Sequence, residues 1–506
     1  MEHTMVENLE RKSGNRIPSE ILRKDGIALV ASGSLACIRD LYLQAAKLGK
    51  TDFLFSCCLT ARDYSLGKHN RLICQCIQKA INHHKVKGII VYASCLDILS
   101  LWDFSEILSQ VNNPRKIPID VLYRGPLVKR THSPKSELQK IWKKWNFSDS
   151  GMKAANKMTF PVPLPSEKNS FPEQTSVSRN RTCLNFPAAI PDFEGITSFL
   201  QPWGWDILIL TAGGCPNCMS YPDSQNYRKV KKTRFDDISL CNCSITRLAQ
   251  KIVSEFNENI PLILLGSSAT YTTGIDMNLL CYEIQKLDKP VLFLESNGFE
   301  GAASAMADAW LTLGKKLLSR RTVISENTHW ILGYSSLTVP EKEDLQKYLF
   351  DALNKGISAS VWKEDYLFLS PGNQENKNSP CSSILPEKNI VVSSEGLPLA
   401  AWMKEKWNIP YETVLLSAKR YIKKAKTEIL ENKKISHISD LILIGDPLQM
   451  DCLKKELEIL YPDICFSCGA YAPTCRIQQL YKKYYCDTLC FSGQEEVPAN
   501  SLLFLT

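Results

Sequence analysis

DILILTAGGCPNC, residues 206–218, is the stretch on which the fold turns. A near-continuous Ile/Leu run of strand length ends in a small-residue turn, and a cysteine then enters a helix-period segment. Strands of this kind lie in parallel sheets, where helices cover both faces and no polar alternation is needed. The pattern recurs as IALVA at 27–31, GIIVYA at 88–93, IPLILLG at 260–266, KPVLFLE at 289–295, NIVVSS at 389–394 and DLILIGD at 440–446. Strands alternating with helices give the class α/β, with several Rossmann-like units built on parallel sheets.

The segments around 206–218 have counterparts near the N-terminus. IALVASGSLACIRD (27–40) parallels ILILTAGGCPNCMS (207–220), and residues 53–81 parallel 234–253 as a polar turn feeding an amphipathic helix. KGIIVYASCLDILSLWDF (87–104) then parallels IPLILLGSSATYTTGIDM (260–277). Three landmarks in the same order predict a partial N-terminal repeat. Between the copies, Pro134, Pro161, Pro163, Pro165 and Pro172 stand among Ser, Lys and Asn. That composition reads as a linker with one short helix around Leu138 to Trp145. Pro371 to Ser383 reads as a surface loop.

At 506 residues, 44% hydrophobic and 23% charged, the chain exceeds one ordinary core, and two to four domains are expected. No apolar run approaches the ~18–20 residues of a membrane span. Met1 to Asn15 holds no apolar h-region, so a cytoplasmic protein is expected, with no membrane partner. The net charge of +8 is too mild for a nucleic-acid binder. The basic runs Lys140–Lys144 and Arg228–Arg234 read as solvated faces, which also suit an acidic protein partner.

Nineteen cysteines in a reducing compartment are core thiols, redox thiols or metal ligands. Most read as core, among them Cys74, Cys76 and Cys281. A cysteine at the carboxyl end of a parallel strand is different, because ligands of open α/β sheets gather there and the next helix N-terminus favours a thiolate. Soft thiolates are what iron–sulfur clusters require. Cys215-Pro-Asn-Cys218 also fits a C-x-x-C redox motif, although the larger repeated units around it differ from a thioredoxin fold. Cys465 and Cys468 form a second C-x-x-C, where a zinc clip with Cys475, Cys486 or Cys490 competes with ordinary core and loop thiols. The turns in ASGSLAC and TAGGC lack the Gly-Lys-Ser/Thr of a P-loop, so ATP hydrolysis by this chain is not expected. Asp103 and Asp276 read as turn caps. Glu295 and the Gly298–Gly301 turn read as the lining of a substrate pocket or as a packing turn.

LTAGGCPNC at 210–218 resembles the nitrogenase component 1 signature. The resemblance continues in order through DDISLCNCSITRLAQKIV (236–253), IPLILLGSSATYTTGIDM and KPVLFLESNGFEGAASAMADAW (289–310). HWILGYSSL (329–337), KNIVVSSEGLPLAAWMKEKWNIPY (388–411) and DLILIGDPLQMDCLKKELEIL (440–460) extend it over roughly residues 180–490. It implies a nitrogenase component 1-like oxidoreductase subunit that binds an iron–sulfur cluster. Electrons would come from a separate nitrogenase-reductase-like iron–sulfur ATPase and reduce a small molecule. The alternative is a non-catalytic or cofactor-assembly scaffold that docks a catalytic homologue. A homologous subunit, or a second copy of the chain, is the other expected partner.

The domains expected are a tail (1–25), an N-terminal α/β unit like a cluster domain (26–130), the linker (131–180), a cluster domain (181–325) and two further α/β domains (326–410 and 411–506). Carried over residue by residue, Cys215 matches the family's central cluster cysteine and Cys183 its first. The third falls at Ser267 or Ser268. In the N-terminal copy Cys37 matches the central position and Cys95 the third, and no cysteine precedes Cys37. The two copies together supply Cys37, Cys95, Cys183 and Cys215, a tetrathiolate set suited to a four-iron cluster, with Cys218 as an adjacent metal candidate. Ser393 stands where nitrogenases carry the cysteine that anchors their catalytic cofactor. No such cofactor is expected, and dinitrogen reduction is not the expected reaction.

Overall fold

The structure is a computed structural model that describes residues 6–8, 17–100, 102–123, 132–145, 181–183, 189–212, 230–233, 244–257, 260–319, 321–339, 341–363, 384–431, 440–491, 496–498 and 501–503. Two compact units form, one of residues 13–187 and one of residues 1–12 with 188–506. The fold is α/β with four parallel sheets, and each of the seven apolar runs quoted above supplies one parallel strand. β1 (Val6–Asn8) belongs to the larger unit.

In the smaller unit, β2 (Ile27–Gly33), β3 (Leu54–Cys58), β4 (Gly88–Ala93) and β5 (Ile119–Tyr123) pair in the order β3-β2-β4-β5, all parallel. β2 and β4 are buried along their whole length, which is why their sequences show no alternation. Helix His69–Asn82 covers one face by burying Ile73, Cys76, Ile77, Ala80 and Ile81 at helical spacing. Each fully buried isoleucine there is worth about 1.5–3 kcal/mol. Helix Pro134–Lys144, started by Ser133 and a first-turn proline, buries Leu138, Ile141 and Trp142. Its end is fixed by Trp145, whose indole donates to Asp120 Oδ2 at 2.7 Å, and by Lys144 on Asp120 Oδ1 at 2.8 Å. The compact unit therefore runs past residue 130 and includes the start of the stretch read as linker. Helix Ile17–Leu22 also packs, burying Ile17, Ile21 and Leu22, so the first 25 residues are not all tail. β6 (Arg181–Cys183) lies outside this sheet.

In the larger unit, β7 (Asp206–Ile209), β8 (Val230–Thr233), β9 (Leu262–Leu265) and β10 (Val291–Leu294) pair in the order β8-β7-β9-β10, with β1 antiparallel on the β8 edge. This is the strand order of the smaller unit again. The repeat extends to fine detail. Ser94 and Asp97 form a capping box after β4, and Asp103 caps the next helix through the amides of Ser105 and Glu106. After β9, Ser267 takes the place of Ser94, and Asp276 caps the next helix through Asn278 and Leu279. The same nine residues separate the two caps in both copies. Asp103 and Asp276 are helix caps, with their carboxylates satisfied by backbone N–H groups.

The second sheet of this unit, β11 (Val323–Leu332), β12 (Ser358–Val361), β13 (Ile384–Val391) and β14 (Tyr411–Thr413), has the order β12-β11-β13-β14. It starts before residue 326 and closes after 410. The third, β15 (Asp440–Ile444), β16 (Cys465–Tyr471), β17 (Leu489–Phe491) and β19 (Ser501–Leu503), has the order β17-β16-β15-β19, and β18 (Glu496–Pro498) precedes its last strand. Five indoles join the first two sheets. Trp362 lies 5.2 Å from Trp203, 5.3 Å from Trp310 and 6.0 Å from Trp330, ring to ring, and Trp205 packs on Trp203 at 4.9 Å. The loop predicted at 371–383 lies outside the described residues. None of the described helices is long and apolar enough to cross a membrane.

Candidate functional site

Each sheet has a point where successive connections leave in opposite directions, and ligands of open α/β sheets bind outside the strand ends there. In the smaller unit that point lies between β2 and β4. Cys37 is the third residue of helix Leu35–Lys47, which follows β2, and Cys95 is the first residue of helix Cys95–Leu99, which follows β4. Both thiols thus stand at the first turn of a helix at the carboxyl ends of neighbouring strands. Cys37 is half-buried and Cys95 is buried.

Beside them lies a polar network centred on buried Asp97. Its Oδ2 accepts from Ser32 Oγ at 2.7 Å, from Ser94 N at 2.6 Å and from Ser94 Oγ at 2.9 Å, and its Oδ1 accepts from Tyr64 Oη at 2.8 Å. Burial, with the Asp97 charge next, pushes the Tyr64 phenol well above its ordinary range, so it stays a donor. Burial likewise raises Cys57, the thiol on the β3 side, keeping it protonated. The network fixes the turn from which Cys95 projects.

The corresponding point in the larger unit lies between β7 and β9. Ser268, not Ser267, occupies the first helical position that Cys95 holds in the other copy, because Ser267 is the cap. Both serines are buried. Gly266 is locked to the end of β10, its N–H donating to Ser296 Oγ at 2.8 Å and its carbonyl accepting from the same hydroxyl at 3.1 Å. Cys215 and Cys218 lie outside the described residues, and Cys183 is described in its backbone alone. Of the four expected ligands the structure thus places Cys37 and Cys95 on the first turns of the helices that follow two neighbouring parallel strands. Among the described residues, no group of three or more His, Cys, Asp or Glu could hold a metal ion. That includes the cysteines near the C-terminus. Cys465 and Cys468 are three apart on β16 and face opposite sides of the strand, so they form no clip. Cys76 and Cys281 are buried core thiols, which burial pushes up to about 12 and about 11.

Ser393 follows β13 at the switch point of the second sheet and is fully buried. Its hydroxyl donates to the Gly333 carbonyl at 2.7 Å, closing the strand end against itself. Next to it the structure shows two acids that the sequence reading passed over. Asp446, at the carboxyl end of β15, accepts from Ser394 N at 3.1 Å and from Gln449 N at 3.1 Å. Glu395 is buried, and its Oε2 has no hydrogen-bond partner among the described residues. Burial pushes Glu395 up to about 8, and the Asp446 charge adds to the rise. Burial also raises Asp446, while hydrogen bonds from the Ser394 side chain and from backbone amides pull the other way.

A third acid, Asp192, starts helix Asp192–Leu200 and grips the Gly298–Gly301 turn, accepting from Asn297 N at 2.6 Å and from Gly298 N at 2.9 Å. Burial raises it to about 7 against those hydrogen bonds. That turn therefore has a packing role. Glu295 is exposed and pairs with Arg476 at 3.5 Å, and Arg476 also holds Asp308.

No protein-family model matches the sequence, and no curated protein matches it. Among solved structures, one titled nitrogenase Cp1 at pH 6.5 is similar with a TM-score of 0.39 and 14% identity, over 64% of this chain and 79% of that chain. Another, nitrogenase Cp1 at pH 5, gives 0.37 and 10%, over 62% and 72%.

Proposed function

We propose that this chain is a nitrogenase component 1-like oxidoreductase subunit that holds a four-iron cluster on Cys37, Cys95, Cys183 and Cys215, with Cys218 adjacent. The observation that carries the reading is the pair of thiols, Cys37 and Cys95, at the first helical turns beyond two neighbouring parallel strands. They fit such a group in donor type, since thiolates are its ligands and helix N-termini favour them. A bound cluster would supply one-electron storage. The chain's own part is to hold the thiols, exclude water from Cys95 and fix its turn through Asp97. Electrons would arrive from a separate iron–sulfur ATPase of the nitrogenase-reductase type, in the cytoplasm, and pass to a small-molecule substrate. A second copy or a homologous subunit would complete the assembly.

A scaffold role is the second reading, and Ser268 and Ser393 favour it. One sits where the sister copy has Cys95, and the other has its hydroxyl committed to Gly333. Cys37→Ser and Cys215→Ser, each purified anaerobically and analysed for iron, test the ligand set. Iron is expected to fall to background in both while the far-ultraviolet dichroism stays unchanged. Wild-type iron content in either variant would contradict the set.

A further inference from the structure

The seam between the second and third sheets of the larger unit is tied by a short set of hydrogen bonds. Ser394 N donates to Asp446, Leu448 N donates to Ser394 Oγ at 3.2 Å, and Gln449 Nε2 donates to the carbonyls of Thr338 at 3.0 Å and Val392 at 3.2 Å. Glu395 is sealed into this seam beside Asp446, with one carboxyl oxygen unpartnered. The two acids differ in a telling way. Asp446 accepts from the amide N–H groups of Ser394 and Gln449 and is also hydrogen-bonded by the Ser394 side chain, a donor set suited to an ionised carboxylate, and it is partly open to solvent. Glu395 is held only by the Ser393 side chain and its own backbone N–H, with Oε2 left without a partner among the described residues, so burial keeps the neutral acid as its stable form there.

Among the described residues, the surroundings supply no compensating cation. Helix Pro447–Leu460 brings Asp446, Gln449 and Cys452, and helix Cys475–Tyr484 brings buried Tyr481, with Tyr485 just beyond it. Helix Ala418–Glu431 brings Tyr421, whose hydroxyl donates to Gln449 Oε1 at 3.4 Å. Arg420 on the same helix pairs instead with Glu341. The buried face of helix Ala302–Leu318, which also packs here, is uncharged. Among the described residues, no lysine, arginine or histidine is one of the groups acting on either carboxyl.

We propose that Glu395 and Asp446 are a proton-held latch, which ties the end of β13 to the start of helix Pro447–Leu460 while Glu395 is protonated and loosens that seam when its proton is lost. Losing it would leave a buried, poorly solvated negative charge beside that of Asp446, and water must enter to solvate it. The latch is independent of any bound cluster.

The sign of the pH dependence follows from linkage. Glu395 holds its proton in the folded chain up to about pH 8, and an unfolded glutamate releases it at the ordinary value of 4.5. The folded state therefore binds one more proton between those values. Its stabilisation is complete below 4.5, is lost steadily as pH rises, and levels off above about 8. Thermal and urea unfolding of the full chain, wild type against Glu395→Gln, should be compared at intervals from pH 5 to pH 9. Glutamine keeps the shape and the neutral charge. The wild-type unfolding constant, divided by that of the variant, is expected to rise up to roughly tenfold per pH unit until it levels off. Parallel curves for the two proteins would overturn the latch. Amide hydrogen exchange in the wild type gives a second reading, even if the variant fails to fold. Exchange at residues 394–396 and 448–449, corrected for intrinsic rates, should accelerate above pH 8 more than in the β2–β4 core. Uniform protection across the chain would overturn the proposal.

Discussion

Trp362→Ala is expected to destabilise the larger unit by about 3–5 kcal/mol, the range for deleting a large buried aromatic side chain. Trp362 is 1% exposed and lies against Trp203, Trp310 and Trp330. These neighbours come from three elements, a 3-10 turn after helix Asp192–Leu200, helix Ala302–Leu318 and β11. They belong to the layers of two different sheets, so the walls of the cavity cannot collapse together. Because the cluster spans the first two sheets, the loss should appear as a lower urea midpoint and a weakened near-ultraviolet aromatic dichroism. Trp402 is the control. It packs edge-on against Trp407 on a helix face that is not fully buried, and its replacement by alanine should cost well under half as much. Equal losses at the two positions would contradict the account of the core.

Gly333→Ala is expected to cost about 2–5 kcal/mol for two separable reasons. The backbone at Gly333 has φ +80°, where an L side chain costs about 1–2 kcal/mol. A Cβ there would also stand 2.6 Å from Ser393 Oγ and 3.0 Å from Gly396 N, an overpacking worth about 1–3 kcal/mol more. The methyl group would push aside the hydroxyl that bonds the Gly333 carbonyl and open the strand end at which Glu395 begins its turn. Gly356→Ala separates the two terms. Its φ is +75° with nothing within 4 Å of the added Cβ, so the conformational term alone should remain. The difference between the two variants, measured by chemical denaturation, is the packing term.

Fully buried strand segments were plain in the sequence, because IALVA, GIIVYA, LILL and the LILI of β15 carry their burial in composition. The repeat was legible for a similar local reason, since Ser94, Asp103, Ser267 and Asp276 are capping residues at fixed spacing. β8 (VKKT) and β12 (SASV) were not legible. They are short and polar, and neighbouring strands rather than their own composition hold them in place. The acids were hidden for a different reason. GDPL at 445–448 reads correctly as a cap followed by a first-turn proline, but nothing local says that Asp446 lies beside Glu395 from another sheet. Asp192 similarly owes its environment to the turn at Asn297 and Gly298, about a hundred residues away in sequence.

For the cysteines, position after a strand was readable and separation in space was not. Cys37 and Cys95 stand after neighbouring strand ends because β2 and β4 pair directly, a fact of topology that spacing alone does not supply. The C-x-x-C of Cys465 and Cys468 shows the opposite case, a familiar spacing placed on a strand that points the two thiols apart.

The central claim is that this chain carries a thiolate-bound iron–sulfur cluster. The most direct measurement is the iron and acid-labile sulfide content of the wild-type chain, purified anaerobically and read together with its visible absorbance. The account predicts about four iron and four sulfide per chain, with a broad absorbance that bleaches on reduction. A folded, colourless chain with neither iron nor sulfide would contradict it.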